Sequence, residues 1–227
     1  MQMKTRAGSA EAGLRAYVRK VFTYMGLSLA LTGVVAYFTV RTGLFAALLS
    51  PSGGFSIFGW VVAFGPLALI LFMRNLSASG SKALLFGVAT LIGMSMSLWA
   101  FITSGTVAFQ AFLLASILFG TMALFGYVTD KDLTKMGSIL IMAMWGVLVV
   151  SIASIWFPVG IWLSYLIVAI FTGLVAYNVQ TIKTIYYHVG GEGEDADRLA
   201  VLCALNLYIS FINIFQSLMR IMNNNNN

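Results

Sequence analysis

The chain has 227 residues, of which 60% are hydrophobic and 9% charged, and a formal net charge of +6. A soluble domain carries about a quarter charged residues, so this composition excludes a soluble globular protein and points to an integral protein of the lipid bilayer. The basic excess flanks apolar runs, where it meets anionic headgroups, and no nucleic-acid-binding module accompanies it.

In chain order, residues 1–20 read as a basic, mobile cytoplasmic arm, residues 21–222 as one membrane domain, and residues 223–227, a run of asparagines, as a disordered tail. A membrane-spanning helix needs about 20 mostly apolar residues. The charged residues cut the membrane domain into seven such pieces, near 21–40, 55–73, 83–102, 107–128, 137–157, 160–181 and 199–221. The first is longer than a signal-peptide core and is followed by six more, so it reads as a retained helix. The fold class is therefore all-α, a bundle of seven transmembrane helices. Ser50-Pro51-Ser52-Gly53-Gly54 reads as an external turn, and the links at Thr103–Thr106 and Pro158–Val159 are short enough to enforce helical hairpins. Glycines inside the runs, such as Gly93 one turn before Ser97, allow close helix approach, and Pro66 predicts a kink in the second span. Cys203, the single cysteine, reads as a small packing residue.

Lys4, Arg6, Arg15, Arg19, Lys20, Arg74, Lys82, Lys131, Lys135, Lys183 and Arg198 fall on one side of this seven-span plan, and only Arg41 and Arg220 on the other. The positive-inside rule then places the N-terminus in the cytoplasm and the C-terminus outside. A re-entrant seventh segment, which its polar content also fits, would return the C-terminus to the cytoplasm.

The seven carboxylates, Glu11, Asp130, Asp132, Glu192, Glu194, Asp195 and Asp197, all lie outside these predicted spans. Membrane proton relays and cation sites usually rest on buried Asp or Glu, whereas the spans here offer neutral groups. Asn206, Ser210, Asn213, Ser217 and Arg220 are spaced 4, 3, 4 and 3 and share one helical stripe; Asn178 and Thr181 share a face of the sixth helix, with Thr172 further back. Two readings stand: the polar faces join the helices, or they line a hydrated cavity. Arg74 either snorkels to the interface or enters the bundle as a counter-charge. His188 is placed in a loop, and Gly190-Gly191-Glu192-Gly193-Glu194-Asp195-Ala196-Asp197 reads as a solvated linker, without the ligand spacing of a calcium loop. Asp130 and Asp132 are expected to anchor the start of the fifth helix. No metal cluster, phosphate loop or nucleophile with its base is present in the pattern, so neither an enzyme nor a cofactor is expected.

Four ordered stretches carry a resemblance. Phe22-Thr23-Tyr24-Met25 through Ala36, Gly126-Tyr127-Val128-Thr129-Asp130-Lys131-Asp132-Leu133-Thr134, Ala176-Tyr177-Asn178-Val179-Gln180, and Ala204-Leu205-Asn206-Leu207-Tyr208-Ile209-Ser210-Phe211-Ile212-Asn213 are similar to motifs of the Bax inhibitor family, above all its bacterial inner-membrane members. The resemblance implies a seven-helix fold and a pH-sensitive leak for calcium or another cation. It also implies a role in stress or cell-death suppression and, in bacteria, partnership with a membrane protease. It implies, too, a sensor of paired aspartates on the sixth and seventh helices that an arginine on the second can meet. Those aspartates fall on Asn178 and Ser210 here, and the arginine on Arg74. Two close carboxylates share protons with separated pKa values, which an Asn–Ser pair cannot do.

Overall fold

A computed structural model describes residues 2–51, 54–72, 76–154, 157 and 159–225, the side chains of 2–10, 72 and 225 excepted. Its elements are α1 (Gln2–Arg41), a short 3-10 helix (Leu44–Leu48), α2 (Ile57–Phe72), α3 (Ala78–Ile102), α4 (Gly105–Val128), α5 (Thr134–Ala153), α6 (Trp162–Val189) and α7 (Glu194–Asn225). Six of these helices are long and apolar enough to cross a membrane, and α2 is a shorter apolar helix. The chain is an all-α membrane protein of the seven-helix type expected.

From Gln2 on, the arm expected at residues 1–20 is instead the first half of α1, which has 40 residues, and residue 1 lies outside the described set. At 1.5 Å per residue it is about 60 Å long, twice the hydrocarbon thickness. The cause is a stripe at helical spacing that begins before the apolar run: Leu14, Tyr17, Val21 and Met25 are 7%, 3%, 0% and 4% exposed. Likewise the expected tail is helical as far as Asn225, with the last two residues outside the described set. Helix assignment in α2 continues through Pro66.

The supposed linker at 190–197 is half helix. Gly190 takes a left-handed φ of 77° and closes α6 by donating its N–H to the Tyr186 carbonyl at 2.9 Å. Glu194, Asp195 and Asp197 then form the first turn of α7, where acidic side chains suit the positive end of the helix dipole. His188, expected in a loop, lies exposed in the last turn of α6, the end that favours a basic residue.

The chain divides into two compact units, Met1–Ser104 with Ile185–Leu205, and Gly105–Thr184 with Asn206–Asn227. In the first, α3 packs closely on α1: a Cβ at Gly93 would lie 2.8 Å from the Thr32 carbonyl oxygen, and the Thr32 hydroxyl donates to the Ala89 carbonyl at 3.1 Å. Ser77 caps α3, accepting from the Gly80 N–H. Of the expected external turn, residues 52 and 53 lie outside the described set; on either side of them Leu49 and Phe55 bridge antiparallel, with Ser50 N–H on the Gly54 carbonyl and Ser56 N–H on that of Leu48. In the second unit, α4, α5, most of α6 and the C-terminal part of α7 pack together, as detailed below.

Many hydroxyl side chains satisfy themselves, whereas among the described residues the hydroxyls of Ser81, Thr103, Ser164 and Thr172 are buried without a hydrogen-bond partner. Thr23, Ser28, Thr32, Thr39, Thr42, Thr90, Ser116, Thr121, Ser138, Thr181 and Ser210 each donate to the carbonyl four residues back in their own helix, or the turn that ends it.

Candidate functional site

The second unit brings together two of the stretches singled out in the sequence. Gly126, near the end of α4, is seated on the backbone of Ala176 in α6; a Cβ there would lie 2.8 Å from the Ala176 Cα. Gly137 on α5 lies under the Tyr177 ring, and a Cβ at Gly173 would meet Leu140 at 2.7 Å. Gly126 lets α4 approach α6 to backbone distance, and Gly137 and Gly173 leave room for the Tyr177 and Leu140 side chains between α5 and α6.

One turn further, α6 grips the α4–α5 loop by its backbone. Gln180 donates Nε2–H to the Lys131 carbonyl at 2.8 Å and accepts the Leu133 N–H at 2.8 Å. Lys183 Nζ donates to the Tyr127 carbonyl at 2.7 Å, in the last turn of α4, and lies 5.7 Å from that tyrosine's ring centroid. Sequence reasoning missed both roles, quoting Gln180 only as a motif letter and counting Lys183 only for orientation. A Gln and a Lys three apart, opposite a loop of free backbone groups, were the available signal.

The anchor expected of Asp130 and Asp132 is narrower than predicted. The N-cap of α5 is Leu133, which makes no side-chain cap bond. Asp132 Oδ1 accepts the Thr134 N–H at 2.9 Å from one residue earlier, and Gln180 takes the Leu133 N–H. Hydrogen bonds from Thr134, hydroxyl and then amide, with nearby Lys135, hold the Asp132 carboxyl below its ordinary range. Asp130 is exposed.

The polar faces of α6 and α7 do meet, at one point. Asn178, half-buried, donates Nδ2–H to Ser210 Oγ at 3.4 Å; Ser210, 2% exposed, donates in turn to the Asn206 carbonyl at 2.9 Å. Asn213 donates to the Ile209 carbonyl of its own helix at 2.8 Å, and the Asn206 side chain is exposed. The stripe is thus divided: Ser210 and Ser217 are buried, whereas Asn206 and Arg220 are exposed towards its ends. Phe211, next to Ser210, packs edge-on against Phe112 and Phe119 of α4 at 5.7 and 5.6 Å, which fixes the register of α7 here. Arg74 lies outside the described residues.

Chemically the pair is neutral at every physiological pH. It offers a hydroxyl and a carboxamide, neither of which titrates there and neither of which carries the anionic oxygens a hard dication prefers once it sheds water. Among the described residues no group of three or more His, Cys, Asp or Glu is placed to hold a metal ion.

Comparison with known proteins agrees with the motifs. The family model described as "Inhibitor of apoptosis-promoting Bax1" matches residues 14–227. An uncharacterised protein of Caulobacter vibrioides is 37% identical over 229 residues, covering 96% of this chain and 92% of the relative. One of Rickettsia prowazekii is 35% identical over 221 residues, 94% and 92% of the two chains. The "Inner membrane protein YbhL" of Escherichia coli K12 is 31% identical over 220 residues, 94% and 93%. The paired motif surfaces and these matches lead to one conclusion: the protein belongs to the Bax inhibitor family.

Proposed function

We propose that this chain is an inner-membrane cation leak whose path follows Asn178, Asn206, Ser210 and Asn213, and that it conducts without pH gating. The observation that carries the reading is the Asn178–Ser210 hydrogen bond. It joins α6 to α7 through neutral groups at the two positions where the family motif carries aspartates. Calcium or another monovalent or divalent cation is the cargo on this reading, no catalysis is involved, and the physiological role is of the stress- or death-suppressing type. The inner-membrane assignment is supported by the printed name of the YbhL relative. A cytoplasmic N-terminus is supported by the distribution of Lys and Arg. An external C-terminus is supported by the unbroken 32 residues of α7, about 48 Å long and sufficient for a full crossing.

The deciding experiment is calcium flux into dye-loaded proteoliposomes over about pH 5 to 8, the range where a perturbed carboxylate pair titrates. The unaltered protein is compared with Asn178→Asp/Ser210→Asp. A pH-independent leak through the unaltered protein, made pH-dependent by the double substitution, supports the reading; strongly pH-dependent flux through the unaltered protein overturns it. A second reading is a non-conducting regulator that binds a membrane protease or another membrane protein. The face such a partner would meet is the outward side of α5, where Ile139, Met142, Trp145 and Val149 are all more than half exposed and lipid otherwise covers them. Silence of both proteins in the flux assay, with a stoichiometric partner co-purifying from native membranes, selects it.

A further inference from the structure

The first unit holds the least exposed of the described carboxylates that form ion pairs, and it serves two cations. Asp197, in the first turn of α7, pairs through Oδ1 with Lys20 of α1, and its Oδ2 lies 3.7 Å from Lys82 Nζ of α3. The three side chains are about one-third exposed. Lys82 also sits 5.6 Å from the ring centroid of Tyr24, and Tyr17, 3% exposed, donates its hydroxyl to the Ala196 carbonyl at 3.2 Å. Polar contacts therefore tie this end of α7 to two other helices.

The rest of this end is built to be released. Its buried apolar side chains are small as far as Ala204, namely Ala196, Ala200, Val201, Cys203 and Ala204, and Leu205, 3% exposed, is the first large one. Short side chains bury little area and are held weakly. The link that precedes it contains Gly190, Gly191 and Gly193 at φ of 77°, 75° and 95°, and glycine leaves such a link free to change direction.

We propose that Lys20, Asp197 and Lys82 form an electrostatic latch that holds the N-terminal end of α7 against α1 and α3, with the glycine link as its hinge. Partly exposed ion pairs are weak and salt-sensitive, so the latch opens and recloses under ordinary conditions. The same unbroken helix carries Ser210, thirteen residues beyond Asp197. The inference does not rest on ion conduction, and its test reads no flux.

The chain supplies its own reporter, because Cys203 is its single cysteine and is 6% exposed on α7. The full-length protein is placed in phosphatidylcholine nanodiscs, and the rate of Cys203 alkylation by N-ethylmaleimide is followed by mass spectrometry at increasing sodium chloride. Labelling of the unaltered protein should accelerate with salt. Asp197→Asn should label faster at low salt, by up to about thirtyfold, the ratio that two such pairs sustain at most, and should lose the salt dependence. Asp195→Asn, on the same turn but exposed, should behave like the unaltered protein, and Lys20→Arg should keep slow labelling. Should Asp197→Asn fail to purify as a single species, the salt series on the unaltered protein decides alone. Salt-independent labelling there, or Asp197→Asn labelling at the unaltered rate, overturns the latch.

Discussion

Substituting Gly126 by Ala tests whether the two motif stretches are truly in backbone contact. The new methyl would lie 2.8 Å from the Ala176 Cα and 2.9 Å from its carbonyl carbon, nearer still to the carbonyl oxygen. Ordinary carbon contacts are about 3.5–4.0 Å, so α4 and α6 must part by roughly 0.7–1.2 Å. Neither side of the contact is a rotatable side chain, and the strain cannot be relieved by a rotamer change. Overpacking of this kind costs about 1–3 kcal/mol, against a gain of about 0.5–1 kcal/mol for replacing a helical glycine. The net loss is up to about 2.5 kcal/mol, which for a chain of this size lowers the melting temperature by up to about 10 °C. Gly146→Ala is the matched control: it is also helical, in α5, but its Cβ would meet nothing within 4 Å. That variant should be at least as stable as the unaltered protein. Thermal unfolding of all three in one detergent, followed by circular dichroism, measures both signs at once. Equal melting temperatures for Gly126→Ala and Gly146→Ala would refute the backbone contact, and with it the seating of the turn that carries Asn178.

Three further outcomes follow from the site. Replacing Gln180 by Ala removes the partner of the part-buried Leu133 N–H and of the exposed Lys131 carbonyl, and should destabilise the protein by about 0.5–1.5 kcal/mol; Gln180→Glu, which keeps the acceptor but not the donor, should fall between, as read by denaturant unfolding. Ser210→Ala should cost only about 0.6 kcal/mol, the lower end for a hydrogen bond in a membrane, because the Asn178 contact is long at 3.4 Å; a double-mutant cycle with Asn178→Ala that returns several kcal/mol would contradict this geometry. Asp132, whose carboxyl is held below its ordinary range, contributes stability that is complete above about pH 4, the unfolded value, and fades as pH falls through the lowered folded value. The melting-temperature gap between the unaltered protein and Asp132→Ala should therefore narrow on acidification below that point, and a gap that widens there would speak against the Thr134 contact.

The seven helices were readable because the bilayer sets their length, and any run of about 20 apolar residues announces itself. Their ends were not. The Leu14–Tyr17–Val21 stripe is interleaved with Arg15, Arg19 and Lys20, so a segment judged by its average polarity hides a helical face that buries three side chains. In the candidate site, the polar faces that carry Asn178 and Ser210 were readable from periodicity, and the pairing of those two positions was implied by the resemblance. The exposure of Asn206 was not, because a helical stripe shows which residues share a direction and not how far along the helix a neighbour extends. Gln180 escaped notice for another reason: its partners are a backbone carbonyl and a backbone amide, groups that every residue carries. Lys20 and Asp197 are separated by 177 positions, and nothing local connects them.

The hydroxyls that turn back onto their own helices bear on how the protein is made. A serine or threonine such as Ser28, Thr39, Thr90, Ser116 or Thr121, whose proton is already placed on a carbonyl four residues earlier, asks nothing of its surroundings. Such a helix can leave the insertion machinery and enter lipid alone, without waiting for the segment that will later cover it. Assembly then becomes a separate and later event, governed by glycine contacts and a few long-range polar ties. Errors in this chain should accordingly arise at docking, among helices already correctly inserted.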